Sequence, residues 1–380
     1  MKLLGLQLQL FILAPSQMEI RMSAIHIKYP ALTLKAGKRA LQRIRQQGLK
    51  PADVGILAGA AGGPKALGIQ GLDLALFGDW LPRAPRECAL IGASIGSWRF
   101  ASACLPDAAA GIRRLGELYT AQRFGKRTSM AQISEYCLVM LDDLLGGQEQ
   151  SLLNNAHYRL NIMLVNSHGM LAEDGRAALG LGLSAAIGNN LLARSRLAKH
   201  FERLVLHDPR QAPPLLALND FPTRFASLDA GNVKPALLAS GSIPFVMQAV
   251  RDIPGVGLGA YRDGGLLDYH LDLPFNGEDV VLYPHFTDHV IPGWFDKNLP
   301  WRRADACRMQ DVLLLSPSRE YLAHLPHGKL PDRTDFKRYL GNDLGRERYW
   351  RQAMSASQRL GDEFLHLADS GQLAERLVAL

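Results

Sequence analysis

The sequence predicts an α/β protein of three layers, α/β/α, built on a mainly parallel central sheet with a helical C-terminal extension. Two observations carry that prediction. Short apolar runs without polar alternation, "DVGILAGA" (53–60) and "CALIGA" (88–93), read as strands buried on both faces. Each leads through a glycine-containing turn into a helical pattern, the rhythm of a parallel sheet. With 380 residues, 47% hydrophobic and 21% charged, the chain can bury a large core, and wholesale disorder is excluded.

Along the chain, "LKAGKRALQRIRQQGLKP" has helical spacing through Leu41 and Ile44, with Gly48 just past the helix end and Pro51 as a stop. A helix over about 65–77 follows the first strand, and another over 95–104 follows the second. Helices are also predicted at 107–121 and 128–145, and strands at 158–166, 202–207, 279–284 and 311–317. From Asp332 onward the pattern is polar and helical. The stretch "ALGLGLSAAIGNNLLA" (178–193), flanked by Arg176, Arg194 and Arg196, has two readings. It is a core helix packed closely through Gly180 and Gly182, or a lid or interfacial helix. No linker or repeat divides the chain. The expected organisation is a dispensable extension at 1–22, a main domain at 23–300, and a strand plus helical extension at 301–380 packed on that domain.

Lys and Arg total 43 against 36 Asp and Glu, a net charge of +7 that favours anionic surfaces such as phospholipid headgroups. Basic and aromatic residues do not interleave as single-stranded nucleic acid requires, so nucleic acid is not an expected partner. Cys88, Cys104, Cys137 and Cys307 are scattered, without disulfide or zinc spacing, and read as small buried hydrophobes. No metal-ligand cluster is seen, and neither metal nor cofactor is expected. No apolar run reaches eighteen residues, so no membrane span is predicted. "MKLLGLQLQLFILAPS" is broken by glutamines and lacks an A-x-A site, and Met18 and Met22 offer later starts. A cytoplasmic protein, peripheral to a membrane at most, is expected over a secreted one.

The chemistry centres on "GASIG" (92–96), where a predicted strand ends and a helix begins. Glycines Gly92 and Gly96 permit a sharp strand-to-helix turn that lifts the Ser94 hydroxyl clear of the sheet. The following helix aims its N-terminal dipole at the site. A five-residue match is cheap, on the order of 0.2 expected by chance in a chain this rich in glycine, so the context has to carry it. An activated serine also needs an oxyanion hole and a base. "GAAGGPKALG" (59–68) opens at the same sheet edge, where Gly62 and Gly63 N–H groups can converge on an oxyanion. It lacks the Gly-Lys-Ser/Thr of a P-loop and the G-x-G-x-x-G of a dinucleotide site. The competing reading is a glycine turn that lets helix and strand pack closely. For the base, His168, His207, His270, His285 and His289 are candidates that no spacing singles out. Asp263 in "AYRDGGLLDYH" (260–270) is the alternative, with Gly264 and Gly265 permitting a close turn, although Asp-Gly is commonly a simple turn and recurs at Asp174-Gly175.

A glycine-rich loop with a basic residue, then GxSxG, then Asp-Gly-Gly far downstream resembles the patatin-like phospholipase family. "ALLASGSIPF" (236–245) is similar to that family's A-x-x-A-S-x-x-I-P segment. The resemblance covers about residues 53–285 and implies a Ser–Asp dyad without a catalytic histidine. Ser94 would be the nucleophile, Asp263 the base, Gly62 and Gly63 the oxyanion donors, and Lys65 the basic residue of the loop. Two departures bear on the loop: Ala61 and Ala66 stand where the family has glycine, at a cost of about a kcal/mol or more if φ must be positive there. The segments "VVLYPHFTDHVIPGWFDK" and "LPHGKLPDRTDF" match no family motif and are expected to form a pocket wall of their own. The implied activity is hydrolysis of fatty-acyl esters, phospholipase A or lipase/esterase in type. The alternatives are an acyltransferase on the same fold and a catalytically silent lipid-binding protein.

Overall fold

The computed structural model describes residues 29–275 and 277–380; the 1–22 extension lies outside the described residues. One sheet contains β1 (Leu32–Ala36), β2 (Val54–Gly59), β3 (Cys88–Ala93), β4 (Tyr158–Ser167), β5 (Phe201–His207), β6 (Thr223–Ser227), β7 (Val250–Ile253), β8 (Gly257–Asp263), β9 (Val280–Pro284), β10 (Val312–Pro317) and β11 (Leu377–Ala379). The helices are α1 (Lys38–Gln47), α2 (Gln70–Ala75), α3 (Ile95–Ala103), α4 (Ala108–Thr120), α5 (Met130–Leu145), α6 (Glu149–Leu153), α7 (Arg176–Leu192), α8 (Val233–Ser240), α9 (Arg319–Ala323), α10 (Thr334–Arg338) and α11 (Asp343–Asp369).

The strand order is β11-β1-β10-β9-β2-β3-β4-β5-β6. The middle run from β10 to β4 is parallel, while β1 and β5 join it antiparallel. Every residue of β3, β9 and β10 is buried, because layers cover both faces of the sheet. That is why these strands read as unbroken apolar runs. The chain is a three-layer α/β/α protein with a mainly parallel sheet.

Strand β8 is placed unusually. β3 pairs with β4 as far as Ala93 opposite Met163, and β8 takes up the pairing at the next position, Asp263 opposite Leu164. Because β5 holds the other edge of β4, β3 and β8 share one edge. The first runs parallel to β4 and the second antiparallel, so they meet head to head. The residue after β3 and the last residue of β8 therefore face each other across a short gap.

The C-terminal helix is built into the domain. α11 crosses α2 where Gly71 N–H donates to Ser357 Oγ at 2.8 Å, and a methyl on Gly71 would stand 2.2 Å from the Ser357 carbonyl oxygen. Buried Glu363 accepts from the Ala31 and Leu32 N–H groups at 2.5 and 3.4 Å, tying α11 to β1. A separate small core of Val165, Leu171, Leu179, Leu183 and Phe201 lies under α7.

Several sequence expectations need correction. The segment around Leu34–Ala36 is strand, not the start of a helix, because its alternating burial suits pairing with β10. The expected 65–77 helix is a 3₁₀ stretch (Gly63–Ile69), then α2, then a π-turn (Leu76–Trp80), since Pro64 and Gly68 interrupt a regular ladder. β6, β7 and β11 are short and partly exposed, with little apolar pattern to read. Cys88, Cys104 and Cys137 are buried, but Cys307 is exposed.

Two glycines give a direct test. A Cβ on Gly96 would stand 1.9 Å from the Gly59 carbonyl oxygen, whereas one on Gly188 in α7 meets nothing within 4 Å. Denaturant unfolding should show Gly96→Ala destabilised by about 1–3 kcal/mol. Gly188→Ala should be stabilised by roughly 0.5–1 kcal/mol. Equal effects would contradict the close β2–α3 approach.

Candidate active site

Ser94 sits between β3 and α3 at φ 55°, ψ −129°, a strained conformation for a residue with a side chain. Three contacts hold it there. Its N–H donates to Ser240 Oγ at 2.9 Å, and Ser240 Oγ in turn donates to the Met163 carbonyl at 2.7 Å. Ser97 Oγ reaches back to the Gly92 carbonyl at 2.7 Å, closing the turn. Gly92 and Gly96 are steric requirements, because a Cβ on Gly92 would come 2.5 Å from the Ser97 nitrogen. Ser240 belongs to the "ALLASGSIPF" segment, which thus braces the turn from α8.

Ser94 Oγ donates to Asp263 Oδ2 at 2.7 Å, both side chains being buried. The other carboxylate oxygen accepts the Gly265 N–H at 2.7 Å, fixing the rotamer. A methyl on Gly264 would strike the Met163 carbonyl at 2.3 Å, and one on Gly265 the Ala61 methyl at 2.7 Å. Behind the pair, buried Arg262 bonds Asp174 Oδ1 at 2.6 Å and the Leu171 carbonyl at 3.1 Å, anchoring the end of β8. Arg203 clasps Asp268 with bonds of 2.7 and 2.8 Å, anchoring the loop that follows. Asp174-Gly175, a simple turn by sequence, thus supplies one of these anchors.

Burial pushes the Asp263 carboxyl above its ordinary range, opposed by the Ser94 and Gly265 hydrogen bonds and by the charges of Arg333 and Lys297. Lys297 lies 3.9 Å from the Tyr269 ring centre. Burial lowers it to about 7, with repulsion from Arg333 and Lys65 adding to the effect. None of the five candidate histidines lines the cavities around Ser94. His168 and His289 are exposed. His207 faces the Asp208 carbonyl. His270 and His285 are buried and driven to the neutral form, first by burial.

The loop after β2 carries Gly62 and Gly63 to the cavity wall beside Ser94. Gly63 has φ +57°, which favours glycine, and Gly62 packs so closely that a Cβ would come 2.4 Å from the Phe286 ring. Their N–H groups have no hydrogen-bond partner among the described residues. Ala61 and Ala66 are not at positive φ, so their methyl groups carry no backbone strain. Lys65 lines neither cavity; its ammonium lies 4.7 Å from the Phe286 ring centre.

Two apolar cavities fork at Ser94. One, about 330 Å³, runs between Leu183, Phe245, Leu266, Tyr269 and Trp294. The other, about 290 Å³, runs between Trp98, Tyr119, Phe124, Ile133 and Phe336. Arg333 lines both and has no ion-pair partner among the described residues. A more voluminous cavity, about 520 Å³, lies around Pro51 and Tyr158 at the far end of β3, away from Ser94. Arg333 and Lys297 were missed by sequence reasoning; they come from the two unmatched segments, and a lone basic residue in a loop gives no signal of its own.

No protein-family model matches the chain, and no curated protein does. Among solved structures, human GIVD cytosolic phospholipase A2 aligns over 89% of this chain at 12% identity and a TM-score of 0.34, a likeness too slight to carry an argument. This chain spans 65% of that structure's length. Among the described residues, no helix is long and apolar enough to cross a membrane.

The site's electrostatics predict a titration. Followed by carboxyl ¹³C NMR, Asp263 should titrate above the ordinary aspartate value of about 3.9. Lys297→Met should move it higher still, because a cation that favours the anion has gone. A downward move would contradict the assignment.

Proposed function

We propose that the chain is a lipid acyl hydrolase that cleaves carboxylic esters of fatty acids through an acyl-enzyme on Ser94, in the manner of the patatin-like phospholipases its motifs resemble. The 2.7 Å Ser94–Asp263 hydrogen bond at the fork of two apolar cavities is the observation that carries this reading. Asp263 takes the hydroxyl proton as Oγ bonds to the ester carbonyl carbon, whose π electrons move onto oxygen. The Gly62 and Gly63 N–H groups receive that oxyanion, and the α3 N-terminus adds a favourable dipole. Collapse breaks the ester C–O bond, and the departing alkoxide takes the proton from Asp263. A water then gives its proton to Asp263 as its oxygen attacks the acyl carbon. Breaking the acyl–Oγ bond releases the fatty acid, and the proton returns to Ser94.

The forked cavity suits an ester with apolar groups on both sides, and the unpaired Arg333 suits an anionic group near the junction. A phospholipid carries both features.

The test is hydrolysis across a panel of phospholipids and neutral esters. Ser94→Ala should lower turnover by at least about 10³-fold, Asp263→Asn by roughly 10²–10⁴-fold, and Gly63→Ala by up to about 10²–10³-fold through a displaced N–H group. Activity in the wild type should rise with pH through the elevated Asp263 titration, since only the carboxylate accepts a proton. Full activity in Asp263→Asn with loss in a histidine variant would overturn the reading.

A further inference from the structure

A helix face in water ordinarily carries charge. That of α7 does not. From Ala177 to Ala193 no residue is charged. At 100° per residue, Leu181, Ser184, Ile187, Gly188, Leu191 and Leu192 fall within an arc of about 140°, and all six are exposed. Leu192 is 70% exposed and Leu181 63%. On the opposite face Leu179, Leu183, Ala186 and Asn190 are buried. From Ala177 onward the helix is therefore uncharged all round and mostly apolar on its exposed arc, while only the opposite side packs in the core.

A second segment is tied to the end of α7. Arg302 Nη2 donates to the Asn190 carbonyl at 2.8 Å, and its chain neighbour Trp301 is 67% exposed. Arg176, Arg196 and Arg303 flank the two segments; all are exposed, and none has an ion-pair partner among the described residues. An exposed tryptophan, exposed leucines and unpaired arginines are the composition of a surface that sits at a lipid–water boundary. The helix borders the chemistry. Leu183, on its inner side, and Phe245 both line the cavity that contains Ser94, and a Cβ on Gly180, within the outer arc, would lie 4.0 Å from the Phe245 ring.

We propose that the outer face of α7, together with Trp301, docks the protein on a lipid bilayer bearing anionic headgroups, with the Ser94 cavity opening behind it. The rim charge selects this occupant. Unpaired arginines suit a phosphate-bearing surface, at about 1 kcal/mol for each basic residue near an anionic leaflet. A second copy of the chain would bring like-charged rims together across a two-fold contact. The proposal rests on the acyl-ester reading for its purpose, but binding needs no turnover.

The experiment uses the full chain carrying Ser94→Ala, sedimented with phosphatidylcholine vesicles with and without phosphatidylglycerol. The chain should bind the anionic vesicles and release with added salt. Adding Leu191→Asp and Leu192→Asp should weaken binding at least about tenfold, with the thermal midpoint unchanged because both side chains are exposed. Arg196→Gln with Arg303→Gln should weaken binding to anionic vesicles only. No binding by the unsubstituted face, or equal binding by the aspartate variant, would overturn the proposal. So would a change of oligomeric state with vesicle binding unaffected, which would make a second copy the occupant. Vesicle binding without ester hydrolysis in the native chain would instead sink the hydrolase reading and leave this one standing.

Discussion

The head-to-head meeting of β3 and β8 along one edge of β4 is the constraint on which the site depends. β4 supplies adjacent positions, Met163 and Leu164, as the end points of two strands running in opposite senses. The turn leaving β3 and the end of β8 then have no room for side chains at Gly92 and Gly264, while Gly96 is crowded by β2. Ser94 and Asp263 meet across the gap, 2.7 Å apart. A hydrogen bond between residues 169 positions apart in sequence thus follows from strand register.

Burying that pair raises the carboxyl's affinity for its proton, which strengthens a base and also threatens to leave it protonated. Four groups around it hold the balance. The Gly265 N–H and Ser94 hydroxyl donate to the carboxylate, and Lys297 and Arg333 supply positive charge from the wall. Both cations come from segments outside the recognisable motifs, so the field around Asp263 is set by parts of the chain that the motifs do not contain. The price is a lysine driven down to about 7 by the same burial.

Much of the middle of the sheet was legible in the sequence because its physics is local. β3 and β10 are short apolar runs bounded by turn residues, and their ends fall where the pattern changes. Ser94, Gly62, Gly63 and Asp263 were legible as candidates through spacing and order. What the sequence did not reveal depends on distant contacts. β1 looks helical in its own window and becomes a strand only because β10 offers an edge. Arg333 is an ordinary loop arginine until the chain folds it over Gly63. Asp263 was preferred to the histidines through the order of the motifs and not through any spacing of its own; that His270 and His285 pack behind the loop and line neither cavity at Ser94 is a matter of tertiary placement.

The central claim is that Ser94 is activated by Asp263 directly. Covalent labelling by a fluorophosphonate, with the adduct located by mass spectrometry, reads this without any assumption about substrate. The account predicts a single adduct on Ser94, formed at a rate that rises with pH through the Asp263 titration and falls sharply in Asp263→Asn. An adduct elsewhere, or labelling of Ser94 at the same rate without the Asp263 carboxylate, would contradict it.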